Sequence, residues 1–181
     1  MPIYQNTSVT DAKIEIGNYT ISVGLENATA ASTWTNMGAG MVKSFKYDPV
    51  MYTSQAGNAV DPIQGVSRET VEVGIELIEY DGSSFSVLSG GLLSGTSGSL
   101  IVGGNTNVQT AKGIKLVNTR KLATGSSQTT TYIINRAFIN TGFTMTPKSD
   151  NDADPLNVYS FDLLCKQAMT TAQTIFTKTV A

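Results

Sequence analysis

The stretch Arg68-Glu69-Thr70-Val71-Glu72-Val73-Gly74-Ile75-Glu76-Leu77-Ile78-Glu79 constrains the fold more than any other part of the chain. Val71, Val73, Ile75 and Leu77 recur with a period of two, and Arg68, Thr70, Glu72 and Glu76 occupy the alternate positions. A helix would spread these apolar side chains around its circumference. A strand puts them all on one dry face and leaves the other face wet. Such a strand needs hydrogen-bonded neighbours, so the rest of the chain must supply a sheet. The composition agrees. Charged residues make up 14% of the 181 residues, against about a quarter in an average domain, and 24 Thr, 17 Ser and 12 Asn take their place. Thr is β-branched and suits a strand with a solvated face. The expected fold is mainly β: a sandwich or barrel-forming sheet in one domain spanning 1–181, with one short flanking α-helix, an extended loop and terminal arms.

The expected order is as follows. Residues 1–12 form a polar N-terminal arm. Residues 13–25 form a strand, or two around Gly17-Asn18, with Ile14, Ile16, Tyr19, Ile21, Val23 and Leu25 as its apolar set. Residues 26–40 form a small-residue loop that carries Trp34. Met41 to Thr53 is a strand with Phe45, Tyr47 and Met51 on one face, and its Pro49 marks an edge, a bulge or an end. A long polar loop covers about 51–67. After the 68–79 strand, Ser83/Ser84 or Asp81 caps a short helix with Phe85, Leu88, Leu92 and Leu93 on one side, and Gly90-Gly91 ends it. Residues 94–109 are turns around a short strand at Leu100-Ile101-Val102. Strands follow at 114–122, at 129–146 with a bend at Gly142, and at 158–166, with a loop at 147–157. In the 158–166 strand Tyr159, Phe161, Leu163 and Cys165 point inward, and Ser160 and Asp162 outward. Residues 167–181 form a C-terminal arm.

The counts exclude familiar chemistries. With no histidine there is no Ser-His-Asp triad, no Cys-His pair and no His-ligated metal. With one cysteine there is no intrachain disulfide, and Cys165 reads as a small buried hydrophobe. Asp150-Asn151-Asp152-Ala153-Asp154 begins like a calcium loop, but Pro155 stands where glycine is needed and Phe161 where the bidentate glutamate belongs. Gly38-Ala39-Gly40-Met41-Val42-Lys43-Ser44 lacks the Gly-Lys pair of a phosphate loop and leads into a strand. Glu72 and Glu76 share a strand face roughly 13 Å apart, too far for an acid-base pair on one strand. Neither a catalytic, a metal nor a cofactor site is expected. No basic n-region, apolar h-region or bilayer-length run is present, so the expectation is a soluble protein made in a cytoplasm. Charge is unevenly spread. Residues 1–90 carry four basic and ten acidic side chains, residues 91–181 eight and four. A fold that placed those halves at opposite ends would favour head-to-tail association of copies.

The order of elements over about 13–166 resembles the tail tube (major tail) proteins of long-tailed bacteriophages. The resemblance rests on Met37-Gly38-Ala39-Gly40 leading into a strand that ends near Pro49, then the long polar loop, then the Val71–Glu79 strand, the short helix and Gly90-Gly91. It implies a non-enzymatic structural virion protein. Six copies form a ring whose inner sheets join into a barrel, and rings stack into the hollow conduit through which the genome passes. It implies a tape measure protein, a tail terminator and distal tail or baseplate proteins as partners, passage of DNA without sequence recognition, and no membrane anchor. On this reading Lys46, Asp48, Thr70, Glu72, Glu76, Ser160 and Asp162 face the lumen, although Lys46 and Arg68 keep that face from being purely acidic. Tyr52, Gln55, Asn58, Asp61, Gln64 and Arg68 belong to the ring-stacking loop. Two other readings share the composition. One is a different virion β-protein, a head decoration or fibre module. The other is a carbohydrate-binding sandwich that stacks a sugar on Trp34, Tyr47 and Tyr52, or an enzyme that uses the carboxylates.

Overall fold

The computed structural model describes residues 18–28, 33–54, 63–78, 82–96, 99–101, 108–122, 124–147, 158–167 and 174–181. The chain is mainly β, with nine strands and one short helix among these residues: β1 Asn18–Leu25, β2 Thr35–Ser54, β3 Ile63–Leu77, α1 Gly82–Leu88, β4 Ser94–Thr96, β5 Ser99–Ile101, β6 Lys112–Lys121, β7 Ser127–Thr146, β8 Val158–Lys166 and β9 Phe176–Val180. The large sheet runs β6-β1-β2-β3-β8-β7-β9, and β6 also pairs with β7. That second pairing closes β6-β1-β2-β3-β8-β7 into a six-stranded barrel, antiparallel throughout. Closure satisfies the strand edges that an open sheet would expose.

The period-two segment behaves as expected. Val71, Val73, Ile75 and Leu77 are all buried, and they meet Phe161, Leu163 and Cys165 of β8 across the register pairs Val71↔Cys165, Val73↔Leu163 and Ile75↔Phe161. Ile21 and Val23 of β1, Ile114 and Leu116 of β6 and Ile134 of β7 complete the interior. Helix α1 packs on this core through Phe85 and Leu88. The Phe85 ring lies 5.0 Å from Phe161, 5.3 Å from Tyr159 and 5.9 Å from Phe143. Seven residues are too few for a helix to stand alone, so this aromatic cluster holds it. Gly90 (φ 62°) and Gly91 (φ 97°) end it in the left-handed region. A Cβ on Gly90 would stand 2.0 Å from the Thr110 carbonyl oxygen, so the position admits only glycine. Leu92 and Leu93 follow the helix and are not part of it.

Three boundaries differ from the sequence reading. β2 starts at Thr35, so Asn36 to Gly40 are strand and not loop. The reason is pairing, since β1 bonds to residues 35–41. The long loop is shorter than 51–67. Residues 51–54 and 63–67 extend β2 and β3 as a paired ribbon, and 55–62 lie outside the described residues. The C-terminal stretch is not wholly an arm, because β9 pairs with the first half of β7 from Ile134↔Phe176 to Thr130↔Val180. Finally, β1 is described only from Asn18. The 1–12 arm, residues 13–17 and the 150–154 acidic loop lie outside the described residues. The bend at Gly142 is as expected: φ is 83°, within a register shift between Ile139 and Phe143.

Candidate assembly surfaces

Two surfaces follow from the lengths of β2 and β3. Among the described residues, β1 pairs with β2 as far as Met41, and β8 pairs with β3 down to Thr70. Residues 49–54 and 63–69 therefore form a two-stranded ribbon with no described neighbour on either side. At about 3.3 Å per residue it projects roughly 20 Å. Pro49, opposite Glu69, sits in this stretch, where a missing N–H costs no inner-sheet bond.

The first surface is the wet face of β2-β3-β8. The register aligns Ser44 with Gly74 and Asp162, Lys46 with Glu72, Asp48 with Thr70, and Glu76 with Ser160. All seven predicted lumen residues share this one face. Its Lys43 and Lys46 are engaged by carboxylates. Lys46 Nζ stands 3.6 Å from Asp48 and 3.9 Å from Glu72, and Lys43 Nζ 3.1 Å from Glu76. Ser160 Oγ donates to Glu76 at 3.2 Å. Lys43 reaches Glu76 because it is the extra residue where the β2–β3 register shifts between Val42 and Ser44. Between Glu72 and Glu76 the face dips at Gly74, whose N–H donates to Ser44 Oγ at 3.2 Å. A Cβ there would stand 2.6 Å from that oxygen. Each glutamate thus has its own lysine, and the two do not converge as an acid-base pair.

The second surface is apolar. Phe45, Tyr47, Val50, Met51, Tyr52 and Val66 are 43–55% exposed. Phe45 and Tyr47 lie where β3 is still bonded to β8, and Met51, paired to Val66, continues their face of β2 onto the ribbon. The sequence reading placed Phe45, Tyr47 and Met51 on one strand face, named Tyr47 and Tyr52 for sugar stacking and Tyr52 for the stacking loop, put Val66 in the long loop, and did not single out Val50. The available signal was length, since an apolar alternation reaching Met51 outruns the β8 pairing of β3. Of the predicted stacking residues, Tyr52, Gln64 and Arg68 lie on the ribbon, opposite Gly65, Thr53 and Val50. Gln55, Asn58 and Asp61 lie outside the described residues. Tyr47 donates its hydroxyl to Glu69, whose other oxygen accepts from Gln167 Nε2 at 3.1 Å. That bond, with burial and the glutamate charge adding to it, raises the Tyr47 pKa.

The three aromatics of the sugar-binding reading are not brought together. Trp34 precedes β2, where its ring packs against Gly24 and Gly113 and lies 4.9 Å from Lys115 Nζ. Tyr47 is thirteen positions further along, roughly 40 Å in an extended strand, and Tyr52 is on the opposite face of the ribbon. Among the described residues no three Cys, Asp or Glu side chains are grouped to hold a metal ion, and no helix is long and apolar enough to cross a membrane. Cys165 is fully buried, and burial pushes its thiol pKa up to about 12. β1-β2-β3 form one arc of the barrel and β8-β7-β6 the other.

No family model matches the sequence, and no curated protein matches it. Among solved structures, the chain is similar to the tube-terminating cap of the anti-feeding prophage, seen by cryo-EM. The identity is 11% and the TM-score 0.45, over 99% of this chain and 100% of that one. That likeness is too distant to carry a fold or an activity across.

Proposed function

We propose that this chain is a self-assembling structural subunit of the phage tail tube type: a non-enzymatic protein whose copies form hexameric rings that stack into a hollow tube for DNA delivery in the virion. The observation that carries the reading is the β2–β3 ribbon, which holds Val50, Met51, Tyr52 and Val66 about half exposed past the end of the β3–β8 pairing. Isolated exposed hydrophobics need no explanation, but a contiguous set on a projecting ribbon marks a protein contact. A second copy is the economical partner, because a ribbon that reaches past its own barrel can lie on the next one in a heterologous, ring- or tube-forming contact. The wet face of β2-β3-β8 then lines the lumen. Its Lys43 and Lys46 are both engaged by carboxylates, which leaves no free lysine of the 43–48 stretch to hold a passing phosphate backbone. Tape measure, terminator and distal tail proteins are the partners this role requires.

Negative-stain microscopy and sedimentation of the purified chain test the proposal. Six-fold rings or tubes are expected. Monomers at every concentration and salt tested would refute it, and trimers would favour a decoration or fibre module. Replacing 55–62 by a two-residue turn is expected to stop stacking while the far-UV spectrum stays unchanged.

A further inference from the structure

The wet face of β2-β3-β8 changes character at the root of the ribbon. Lys43 and Lys46 are held by carboxylates, but two cations of the same face are not. Arg68 stands opposite Val50 on β2, and Lys166 opposite Thr70 on β3; both are exposed. Arg68 and Thr70 are two positions apart on β3 with no register shift between them, so Arg68, Thr70 and Lys166 all face the side of Asp48 and Glu72. Arg68 and Lys166 are diagonal cross-strand neighbours, about 7–8 Å apart and within reach of one another for side chains of this length. Among the described residues neither is in an ion pair. The Lys166 ammonium lies 5.5 Å from the centre of the Phe138 ring, a contact that leaves its charge in place. Three cations, Lys46, Arg68 and Lys166, thus stand against two carboxylates, Asp48 and Glu72, at this end of the face. At the other end Lys43 alone stands against Glu76 and Asp162.

Two adjacent like charges with no carboxylate between them repel, and an anion that meets both removes the repulsion. We infer that Arg68 and Lys166 together hold backbone phosphates of the DNA that passes along this face, the guanidinium as a two-pronged donor to phosphate oxygens and the ammonium as a second point charge. The inference rests on the tube reading above and names the one level of the lumen wall that grips. A second copy of the chain does not fit the pair. A ring or straight tube relates its copies by rotation about one axis and translation along it, so every copy turns this face the same way. Arg68 and Lys166 of one subunit cannot then meet the carboxylates of another across a head-to-tail contact. A six-fold ring repeats the pair at one height, and each repeat adds a weak, sequence-independent contact to the same polyanion. Between these girdles the wall offers only the lysines that carboxylates already hold.

Co-sedimentation of assembled tubes with a short fluorescent DNA duplex over a salt series tests the inference. Wild-type tubes are expected to retain the duplex at about 50 mM salt and to lose at least about tenfold in affinity by about 200 mM, the loss for two neutralised phosphates at a slope of about −0.9 each. Arg68→Gln and Lys166→Gln should each weaken retention, and the double variant should abolish it and flatten the salt slope. Arg68→Lys keeps the charge and should keep most of the retention. Lys121→Gln, which removes a cation of β6 outside this face, should change nothing. Tubes of the double variant that retain the duplex with the wild-type salt slope overturn the inference and leave the tube reading standing. So does a double variant that folds, by its far-UV spectrum, but no longer assembles, which would place the pair in the subunit contact. A wild type that forms no rings or tubes overturns the tube reading and this inference with it.

Discussion

The exposed ribbon makes a quantitative claim about association. Met51 and Val66 are cross-strand partners, 55% and 45% exposed. Burying a whole Met or Val side chain is worth about 1.5–3 kcal/mol, so covering the exposed half of each contributes about 1 kcal/mol. Replacing both by alanine removes about 2 kcal/mol per contact, which corresponds to about a 30-fold rise in the concentration at which rings or tubes appear. The same change costs the monomer less. The half already buried lies at the surface, where neighbours relax into the space, and a loss of about 1 kcal/mol lowers Tm by only about 2–4 °C in a chain of this size. Sedimentation velocity across a concentration series gives the assembly threshold, and thermal unfolding monitored by circular dichroism gives the Tm. An unchanged threshold in M51A/V66A would refute the ribbon as the contact. So would a threshold that rises only because the monomer has lost several kcal/mol. Met51→Asp sharpens the contrast, because it leaves the monomer's exposed edge wet and puts a charge into a contact that must be dry.

Two further outcomes follow from the core. Phe85→Ala removes the ring that three other aromatics pack against, and should destabilise by about 3–5 kcal/mol, read as a lower midpoint in urea; a loss under about 1 kcal/mol would mean α1 does not cap the barrel. Cys165 keeps its proton in the folded state up to about pH 12, against 9.0 for an ordinary thiol, so its folded pKa is raised. Stability from this group is complete below about pH 9 and is lost as pH rises toward 12, because only the unfolded chain releases the proton there. The slope is at most about 1.4 kcal/mol per pH unit. Cys165→Ala should flatten urea midpoints measured between pH 9 and 11, and iodoacetamide should label the wild type only once it is unfolded; rapid labelling of the native protein would contradict the burial.

Much of the wall was legible because period two is a local signal. Val71 to Leu77 and Tyr159 to Cys165 alternate cleanly, and each strand lies between two others in the closed barrel, so local pattern and tertiary demand agree. The misread places are those where pairing overrides composition. Asn36 to Gly40 look like a loop, yet β1 holds them in a ladder. Residues 51–54 and 63–67 look like a polar loop, yet each completes the other. Phe176 to Val180, rich in threonine, looks like a tail until β7 supplies an edge for it. The wet face of β2-β3-β8 was readable residue by residue, because Lys46, Glu72 and Ser160 all occupy alternate positions of recognisable strands. The lysine–carboxylate partners were not, because they depend on the register shift at Lys43, which no local pattern announces.

The lengths of the strands tie these features together. Among the described residues β6 and β8 run to ten and nine residues, whereas β2, β3 and β7 run to twenty, fifteen and twenty. Extra strand length beyond a closed wall exposes backbone edges and apolar faces at once, and both favour uncontrolled aggregation. The ribbon carries few of the usual safeguards: one proline, Arg68 and Glu69 stand against Val50, Met51, Tyr52 and Val66 along its course. Such a surface is tolerable in a protein present at high local concentration only if a defined partner covers it. The face opposite the apolar stripe shows the complementary arrangement, with every lysine of the 43–48 stretch engaged by a carboxylate. Exposed ion pairs of this kind add little stability, so their consistent matching along a single sheet face is better explained by the surface it leaves: polar, level and with no lysine of the 43–48 stretch unpaired. On the proposed function, the subunit joins its own copies along the ribbon and presents this face to whatever moves past it.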